Sequence, residues 1–386
     1  MDPIRLEAEL ISIRRHLHQH PELSNEEFAT TQYILKWLHE KNIEIRDTLL
    51  PTGVFADIKG GKQGPTIAIR ADIDALPIEE QTNLPFTSSV KGKMHACGHD
   101  FHTAAAIGAA FLLKEDQKNL KGNIRLLFQP AEELGGGALK VIDDGQLDDV
   151  ASIIGLHNKP DLPVGTVGLK EGPLMAAVDR FKVILYGKGA HAALPHNGHD
   201  PIIGAVQLIN GLQTIVSRNI NPLESAILSV TKMVAGTTWN VIPSHVTIEG
   251  TVRTFSPKVR EQVKKRFYDI TENIAAAFSQ KADIRWYSGP PPLANNSTIT
   301  EIAKTAAYKQ SLKVINPEPS TAGEDFSYYL QKTPGTFAFF GTNGEEDWHH
   351  PSFTVDESAL IKAAYFLYES AKELLEQQHL VAFESK

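Results

Sequence analysis

The sequence contains a single cysteine, Cys97, among 386 residues. A lone cysteine excludes a disulfide within the chain and fits a reducing compartment. The first residues, "MDPIRLEAEL", also lack the basic start, the apolar run and the cleavage site of a secretion signal. We therefore expect a cytoplasmic protein.

Long apolar runs and an excess of basic charge are absent as well. A membrane span needs about 18 consecutive apolar residues, whereas "AAAIGAAFLL" already ends at "KED". The 46 acidic residues outnumber the 38 basic ones, and a chain of net negative charge is poorly suited to a phosphate backbone. We expect neither a membrane nor a nucleic acid as a partner.

The pattern that is present is that of an α/β protein. A chain of 386 residues exceeds the size that one hydrophobic core usually serves, so two domains are expected. Residues 6–17 have helical periodicity, and "SNEE" from Ser24 predicts a capping box for a second helix. Apolar runs then alternate with helical patterns, as in "TIAIRADID", "NIRLLFQ", "ASIIGLH" and "TFAFFG". This alternation predicts a catalytic domain with a largely parallel central sheet flanked by helices.

A different pattern begins at residue 176. Its predicted elements follow the order β-α-β-β-α-β, which is typical of a ferredoxin-like α+β domain. The segment "GPPPLANN" ends it, because three consecutive prolines continue neither a helix nor a strand. The sequence therefore predicts a domain inserted at 176–289, with the first domain built from 1–175 and 290–386.

Several predicted strands of the first domain end in ionisable residues. The carboxyl ends of strands border the ligand crevice of an open α/β sheet, so these side chains are expected to converge. A thiolate, imidazoles and carboxylates together form a ligand shell suited to zinc or a neighbouring transition metal, although each residue alone has an ordinary structural interpretation. The candidates are Asp72, Asp74, Cys97, His99, Glu132, Glu133, His157, His349 and His350.

The tetrapeptide "PAEE" is the most informative of these segments. Adjacent carboxylates beyond a strand point in different directions, so one can bind a metal while the other faces an activated water. A metal lowers the pKa of a bound water to about 7, and a nearby glutamate can pass its proton to a leaving amine. The alternative is that Glu132 and Glu133 are solvated at the start of a helix, where the dipole favours them.

Cys97 has three interpretations. A nucleophile needs a histidine base that is usually distant in sequence, and the neighbours His95, His99 and His102 rarely reach that geometry. A metal ligand would pair with His99, because alternate residues of an extended segment can approach one ion from two sides. A buried cysteine without a chemical role is the third. The ionisable neighbours favour the ligand, and His95 and His102 receive no role.

The predicted insert carries a further group of polar residues. A glycine-rich loop, "GKGAHAALPHNGHDP", contains His191, while "NVIP" and "GTVR" supply Asn240 and Arg253. On these residues alone, a turn with solvated histidines is the simpler interpretation.

A series of segments spread over nearly the whole chain resembles one known family. These segments resemble, in the same order, the aminoacylase-type metallopeptidases, in the branch of hippurate hydrolases, indole-acetyl-amino-acid hydrolases and bacterial N-acyl-amino-acid deacetylases. The resemblance implies an α/β catalytic domain interrupted by a smaller lid and dimerisation domain, and hence a homodimer or higher homo-oligomer. The segments are "RRHLHQHPELSNEE", "IRADIDALP", "MHACGHDFHTA", "FQPAEE", "GLH", "GKGAHAALPHNGHDPI", "NVIP", "GTVRTF" and "AGEDFSYY".

The resemblance also implies a centre of two divalent metal ions, drawn from zinc, manganese, cobalt or nickel. Glu132 would then be the general base and acid, Asp74 would orient a ligand, and His191 would stabilise the oxyanion. Asn240 and Arg253 resemble substrate-binding positions of the family, and by the same resemblance the context "HHPSF" selects His349 over His350. The implied metal ligands are Cys97, His99, Glu133, His157 and His349.

The expected reaction is hydrolysis of N-acyl amino acids, N-acetyl ones in particular, to a carboxylate and a free amino acid. One alternative is a metallo-dipeptidase or aminopeptidase that uses the same centre. Another is an amidase or acyltransferase with Cys97 as nucleophile. A third is a non-catalytic metal- or peptide-binding protein, which the intact "PAEE" argues against.

Overall fold

The computed structural model describes residues 2–381. None of the described helices is both long and apolar enough to span a bilayer. The helices are α1 (Pro3–Gln19), α2 (Phe28–Glu40), α3 (His99–Glu115), α4 (Gly137–Asp143), α5 (Pro201–Thr214), α6 (Pro257–Ala277), α7 (Ser297–Lys309), α8 (Ser327–Leu330) and α9 (Ala359–Val381). The strands are β1 (Glu44–Ile45), β2 (Val54–Lys59), β3 (Lys62–Asp72), β4 (Lys121–Gln129), β5 (Val150–Lys159), β6 (Thr166–Gly168), β7 (Gly172–Met175), β8 (Ala177–Tyr186), β9 (Ala190–His191), β10 (Ala226–Ala235), β11 (Val241–Ile242), β12 (His245–Thr254), β13 (Lys281–Ser288), β14 (Leu293–Asn295), β15 (Lys313–Ile315) and β16 (Gly335–Gly341).

The chain divides into two compact units. Unit 1 comprises the residues up to 174, 294–318 and those from 325 onwards, and unit 2 comprises 175–293 and 319–324. Unit 1 is therefore discontinuous. The short segment 319–324 belongs to unit 2, whereas the sequence pattern placed all residues after 289 in the first domain.

An eight-stranded sheet forms the centre of unit 1, in the order β1-β2-β4-β3-β5-β16-β6-β15. Its central strands β4, β3, β5 and β16 are parallel, which confirms the predicted mixed α/β class with a largely parallel sheet. Every residue of β16 is buried, as expected for a strand covered on both faces. The outer strands β1, β2, β6 and β15 were not predicted, because their short runs carry little periodicity. Antiparallel pairs join β1 to β2, β2 to β4 and β16 to β6.

Helix α3 is buried from its first residue, His99, to Leu113. It packs with α9 on the parallel strands, and α1 packs on both helices. A helix that is apolar on all sides belongs in the interior of a layered fold. Its start, which carries the "CGHD" segment, is therefore fixed by the core.

Unit 2 contains a four-stranded antiparallel sheet in the order β10-β12-β8-β13. Helices α5 and α6 pack on this sheet, and Val263 and Phe267 of α6 are fully buried there. The predicted order β-α-β-β-α-β is present, and the arrangement is the ferredoxin-like one.

The capping box predicted at Ser24 is wrong. Helix α2 begins at Phe28, and Glu27 at its N-cap makes no side-chain capping hydrogen bond. Ser24 instead donates from Oγ to Asp74 Oδ2 at 2.6 Å. The carboxylate of Glu22 accepts the N–H groups of Ala29 and Thr30. The helix start is therefore capped by a side chain five residues before its N-cap residue, Glu27.

A buried ion pair stabilises unit 2. Arg260 donates to the Asp179 carboxylate at 2.8 and 2.7 Å and to the Gly289 carbonyl at 2.8 Å, and Asp179 is fully buried. Removing Arg260 leaves that buried carboxylate without its hydrogen-bonded cation, so we expect Arg260→Ala to lower the free energy of unfolding by about 3–5 kcal/mol. Chemical denaturation followed by circular dichroism measures this change.

The matched control is Arg285→Ala, which removes an exposed pair with Asp283 in the same sheet. We expect a change below about 1 kcal/mol there. Equal losses in the two variants would contradict the role assigned to burial.

Candidate metal centre

The predicted ligands converge at one edge of the unit 1 sheet. The central strands run parallel, so their carboxyl ends meet at that edge. The register places Asp72 of β3 opposite Gln129 of β4 and His157 of β5 opposite Phe339 of β16. The converging positions are Asp72 and Asp74 at and after β3, Cys97 and His99 at the start of α3, Glu132 and Glu133 after β4, His157 in β5, and His349 after β16.

Two groups of possible ligands share the Cys97 thiol. In the first group, Sγ lies 3.4 Å from His157 Nε2, and His99 is the third member. In the second group, the thiol meets Glu133 and His349, whose Oε1 and Nε2 atoms are 3.4 Å apart. The ligand atoms of each group lie within 4.8 Å of one another. The structure thus brings together all five residues that the sequence pointed to.

His349, and not His350, joins these groups. The backbone of His349 is left-handed, with φ of 65°, and its N–H donates to the Ala96 carbonyl at 2.9 Å. The ring of His350 lies 3.7 Å from Glu346 and accepts the N–H of Ser352. His349 is 52% exposed, so it is the one ligand of the five that stands in an open loop.

Asp74 connects three segments of the site. It is buried, and its Oδ1 lies 3.2 Å from His99 Nδ1, while Oδ2 accepts from Ser24 and from the Glu133 N–H. A carboxylate that accepts the Nδ1 proton of a histidine fixes the ring and leaves Nε2 for a metal. Burial opposes the charged form of His99, but Asp72 and Asp74 outweigh it and raise the pKa of this imidazole to about 10. A cation that binds Nε2 therefore displaces the proton from that atom, while Asp74 keeps the proton on Nδ1.

His157 has the opposite character. Burial lowers its pKa well below the usual value, so the ring is neutral. Its Nδ1 lies 2.9 Å from the Asn158 carbonyl oxygen, to which only an N–H can donate. The lone pair of Nε2 therefore faces the Cys97 thiol, in the tautomer that a metal requires.

The protonation state of Cys97 distinguishes its interpretation as a metal ligand from its interpretation as a nucleophile. Burial raises the pKa of this thiol, and the carboxylates of Glu133 and Glu132 raise it further. A nucleophilic cysteine has a lowered pKa, so the contact with His157 does not make a catalytic pair. A divalent cation reverses the balance, because a coordinating thiol loses its proton.

Two buried atoms indicate where a cation fits. His99 Nε2 and Glu133 Oε1 have no hydrogen-bond partner within residues 2–381, and they lie 3.8 Å apart. Buried polar atoms are nearly always paired, and a cation between them satisfies both. One thiolate, three imidazoles and one carboxylate form a donor set that suits zinc, manganese, cobalt or nickel.

A second set of carboxylates is already neutralised by the protein. Asp72 pairs with Arg70 at 2.8 Å and with His102 at 2.6 Å, and Arg70 also pairs with Asp325 at 2.9 Å. Burial opposes ionisation of Asp72, but Arg70 holds the pKa of this carboxyl well below its usual range. Asp72 and His102 therefore support the site. His95 is buried, and neither ring nitrogen has a partner in the described part of the chain.

Sequence reasoning missed Asn158. Its Nδ2 donates to the Cys97 carbonyl at 2.6 Å, and Trp348 donates from Nε1 to the Asn158 carbonyl at 3.1 Å. Gly98 adopts φ of 83°, and a Cβ there would lie 2.4 Å from Asn158 Nδ2. The only available signal was the asparagine that follows "GLH" at the end of a buried strand.

Glu132 stands beside the two ligand groups. Its Oε1 accepts the N–H of Asp325 at 3.3 Å. Glu132, Glu133 and His99 form a further group whose possible ligand atoms lie within 4.8 Å of one another. Glu132 therefore lies next to the proposed ligands without belonging to either Cys97 group.

The remaining predicted residues lie in unit 2. His191 of β9 pairs with Val241 of β11, and the Asn240 carbonyl accepts the Ala192 N–H at 3.1 Å, so His191 and Asn240 lie at the same small two-stranded antiparallel sheet. Arg253 of β12 donates to Thr251 Oγ1, and no carboxylate within residues 2–381 forms an ion pair with it.

A thiol shared by two groups of possible ligands, with an adjacent glutamate, is the arrangement expected of a binuclear metal-dependent hydrolase. The sequence profile of "Peptidase family M20/M25/M40" matches residues 68–373, and the chain belongs to this family.

Three relatives illustrate the match. The chain is 70% identical to the N-acetyl-L-cysteine deacetylase of Bacillus subtilis (strain 168), over 96% of this chain and 89% of that one. It is 53% identical to an N-acetylcysteine deacetylase of the same organism, over 95% and 97%. A crystal structure of the Bacillus subtilis YXEP protein, described as a dinuclear metal binding peptidase from the M20 family, is similar with a TM-score of 0.90, 49% identity and coverage of 98% and 100%.

The sharing of Cys97 by both groups predicts different metal losses in two variants. We expect Cys97→Ala to lose both ions, because the thiol belongs to each group, and His349→Ala to lose one. Elemental analysis of the purified variants measures the metal per subunit, and circular dichroism shows whether each remains folded. Equal metal content in the two variants would contradict a shared thiol.

Proposed function

We propose that the protein hydrolyses the amide bond of N-acyl amino acids, N-acetyl ones in particular, and releases a carboxylate and a free amino acid. The observation that carries the proposal is Glu132 beside the two Cys97 groups. The similarity to N-acetyl-L-cysteine deacetylases supports an acetylated, sulfur-containing substrate. N-acetyl-L-cysteine is therefore the first compound to test.

The candidate site residues of unit 1 have separate proposed tasks. Cys97, His99, Glu133, His157 and His349 would hold two divalent ions. When bound, such ions polarise the scissile carbonyl and lower the pKa of water. Glu132 takes the proton of the attacking water and delivers it to the leaving amine, a transfer that contributes typically about 10²–10⁴-fold. The Asp325 N–H orients its carboxylate, and Asp74 keeps the His99 ring in one tautomer.

The proposed tasks of unit 2 rest on the family resemblance. His191 would donate to the developing oxyanion, and Asn240 would contact the substrate. Arg253 would bind the free carboxylate of the substrate in a bidentate contact. We further propose that unit 2 is a lid that also forms a homodimer, and that the protein works in the cytoplasm, where Cys97 stays reduced.

A substrate panel tests the reaction. The panel contains N-acetyl, N-benzoyl and N-succinyl amino acids, including N-acetyl-L-cysteine and N-acetyl-L-methionine, together with dipeptides, because a similar solved protein is described as a peptidase. We expect release of the free amino acid, detected by chromatography, to be fastest for N-acetyl compounds. Exhaustive chelation should abolish it, and one of zinc, manganese, cobalt or nickel should restore it.

The other outcomes support the rivals. Faster turnover of dipeptides would favour a peptidase on the same centre. Full activity after metal removal would favour Cys97 as nucleophile. Bound metal without hydrolysis of any acylated amino acid would favour a binding protein.

Glu132→Gln tests the division of tasks within "PAEE". We expect this variant to keep its metal, because Glu132 belongs to neither Cys97 group, and to lose at least about 10²-fold in kcat, because it cannot move a proton. The measurement combines elemental analysis with turnover of the best substrate. Glu133→Gln is the control, and it should contain less metal than the parent protein because Glu133 belongs to a Cys97 group. A metal-free Glu132→Gln protein would refute the assignment.

A further inference from the structure

The residue directly before Glu132 has a strained backbone. Ala131 adopts φ of 56°, in the left-handed region where a side chain clashes with the following carbonyl. It is also buried, so solvent does not contact this residue. Such a conformation persists only where the surrounding structure holds it.

The hydrogen bonds around Ala131 come from distant parts of the chain. Its N–H donates to Glu27 Oε1 at 2.8 Å, across 104 positions, and its carbonyl accepts the Gly137 N–H at 3.2 Å. The next fixed point is the Glu133 N–H, which donates to Asp74 at 3.0 Å. The turn that aims Glu132 and Glu133 is therefore held at both ends by buried carboxyl groups.

Glu27 is fully buried at the start of α2. Burial raises the pKa of its carboxyl group, and a buried carboxyl group usually contributes less to stability than an apolar side chain of similar volume. Its presence is therefore better explained by the geometry of its hydrogen bond to Ala131 than by the stability of α2.

We propose that Glu27 is a positioning residue for the metal centre. By accepting the Ala131 N–H, it holds the left-handed turn that directs Glu133 toward the Cys97 thiol and separates Glu132 from it. The part that concerns Glu132 rests on the proposed function. The part that concerns Glu133 is independent of any substrate.

The first experiment compares Glu27→Leu with Glu27→Gln. Glutamine keeps an acceptor oxygen for the Ala131 N–H, whereas leucine fills the space without one. We expect Glu27→Leu to lower the affinity for Mn²⁺ or Zn²⁺, measured by chelator competition, by about 10–100-fold. Glu27→Gln should stay within about 3-fold of the parent protein, because an amide oxygen accepts nearly as well.

The second experiment uses the strain itself. Glycine adopts positive φ without a clash, so Ala131→Gly removes the conformational cost that the Glu27 hydrogen bond offsets. In the Glu27→Leu background we expect it to recover at least about fivefold in metal affinity. The matched control is Ser311→Gly, which relieves φ of 55° at an exposed turn elsewhere in unit 1 and should recover nothing.

The outcomes decide the proposal without reference to catalysis. Recovery with Ala131→Gly alone supports it. Equal recovery with Ser311→Gly would reduce the effect to general stability, and recovery with neither would overturn the proposal, as would parental metal affinity in Glu27→Leu. If the parent protein hydrolyses no acylated amino acid, the proposed function fails. The metal titrations still test whether Glu27 positions the metal ligands. If it does, kcat should follow the same order of variants.

Discussion

The carboxylate of Asp74 is the contact on which the site depends. It is buried, and it joins Ser24, the His99 ring and the backbone of Glu133. Burial favours the neutral acid, yet the hydrogen bond and charge of His99 lower the pKa of Asp74. The carboxylate therefore stays ionised in a region of low dielectric, where an unpaired charge is costly. Its three partners stay in place, because the loss of any one would leave a buried charge with fewer hydrogen bonds, which is unfavourable in free energy.

The ionisable side chains of the site form two groups that differ in whether the protein supplies a counter-charge. Arg70 pairs with both Asp72 and Asp325, and these three side chains are buried. The proposed ligands Glu133 and Cys97 differ from this group. In the described part of the chain, the only basic side chains in ion-pair distance of Glu133 are the His99 ring and the exposed His349 ring. The protein thus supplies its own counter-charge for Asp72 and Asp325 and leaves the proposed metal ligands to a cation.

The strand ends and the pool of candidate ligands could be predicted because both follow from local patterns, whereas the family resemblance selected the five ligands, including His349 over His350. Buried parallel strands read as apolar runs, and the residues after each run had to meet at one edge. The supporting residues could not be found in this way. Asn158, Glu27 and Ser24 act through hydrogen bonds to positions 50 or more residues away, and no short window contains both partners. Ser24 shows the error that results, because a local capping pattern was outweighed by a distant carboxylate.

The discontinuity of unit 1 has a consequence for the order in which the protein matures during synthesis. Strand β5 lies between β3 and β16, and β16 follows the whole of the inserted sheet in the chain. A ribosome therefore releases all four strands of the larger sheet of unit 2 before β5 can gain its second neighbour, and His349 emerges later still. Domains fold as they are completed, so the inserted unit can be native while the sheet that surrounds the metal ligands still has an open edge. Maturation of the centre is a late event, and a nascent chain that stalls before residue 335 carries a finished second unit beside an unfinished first one.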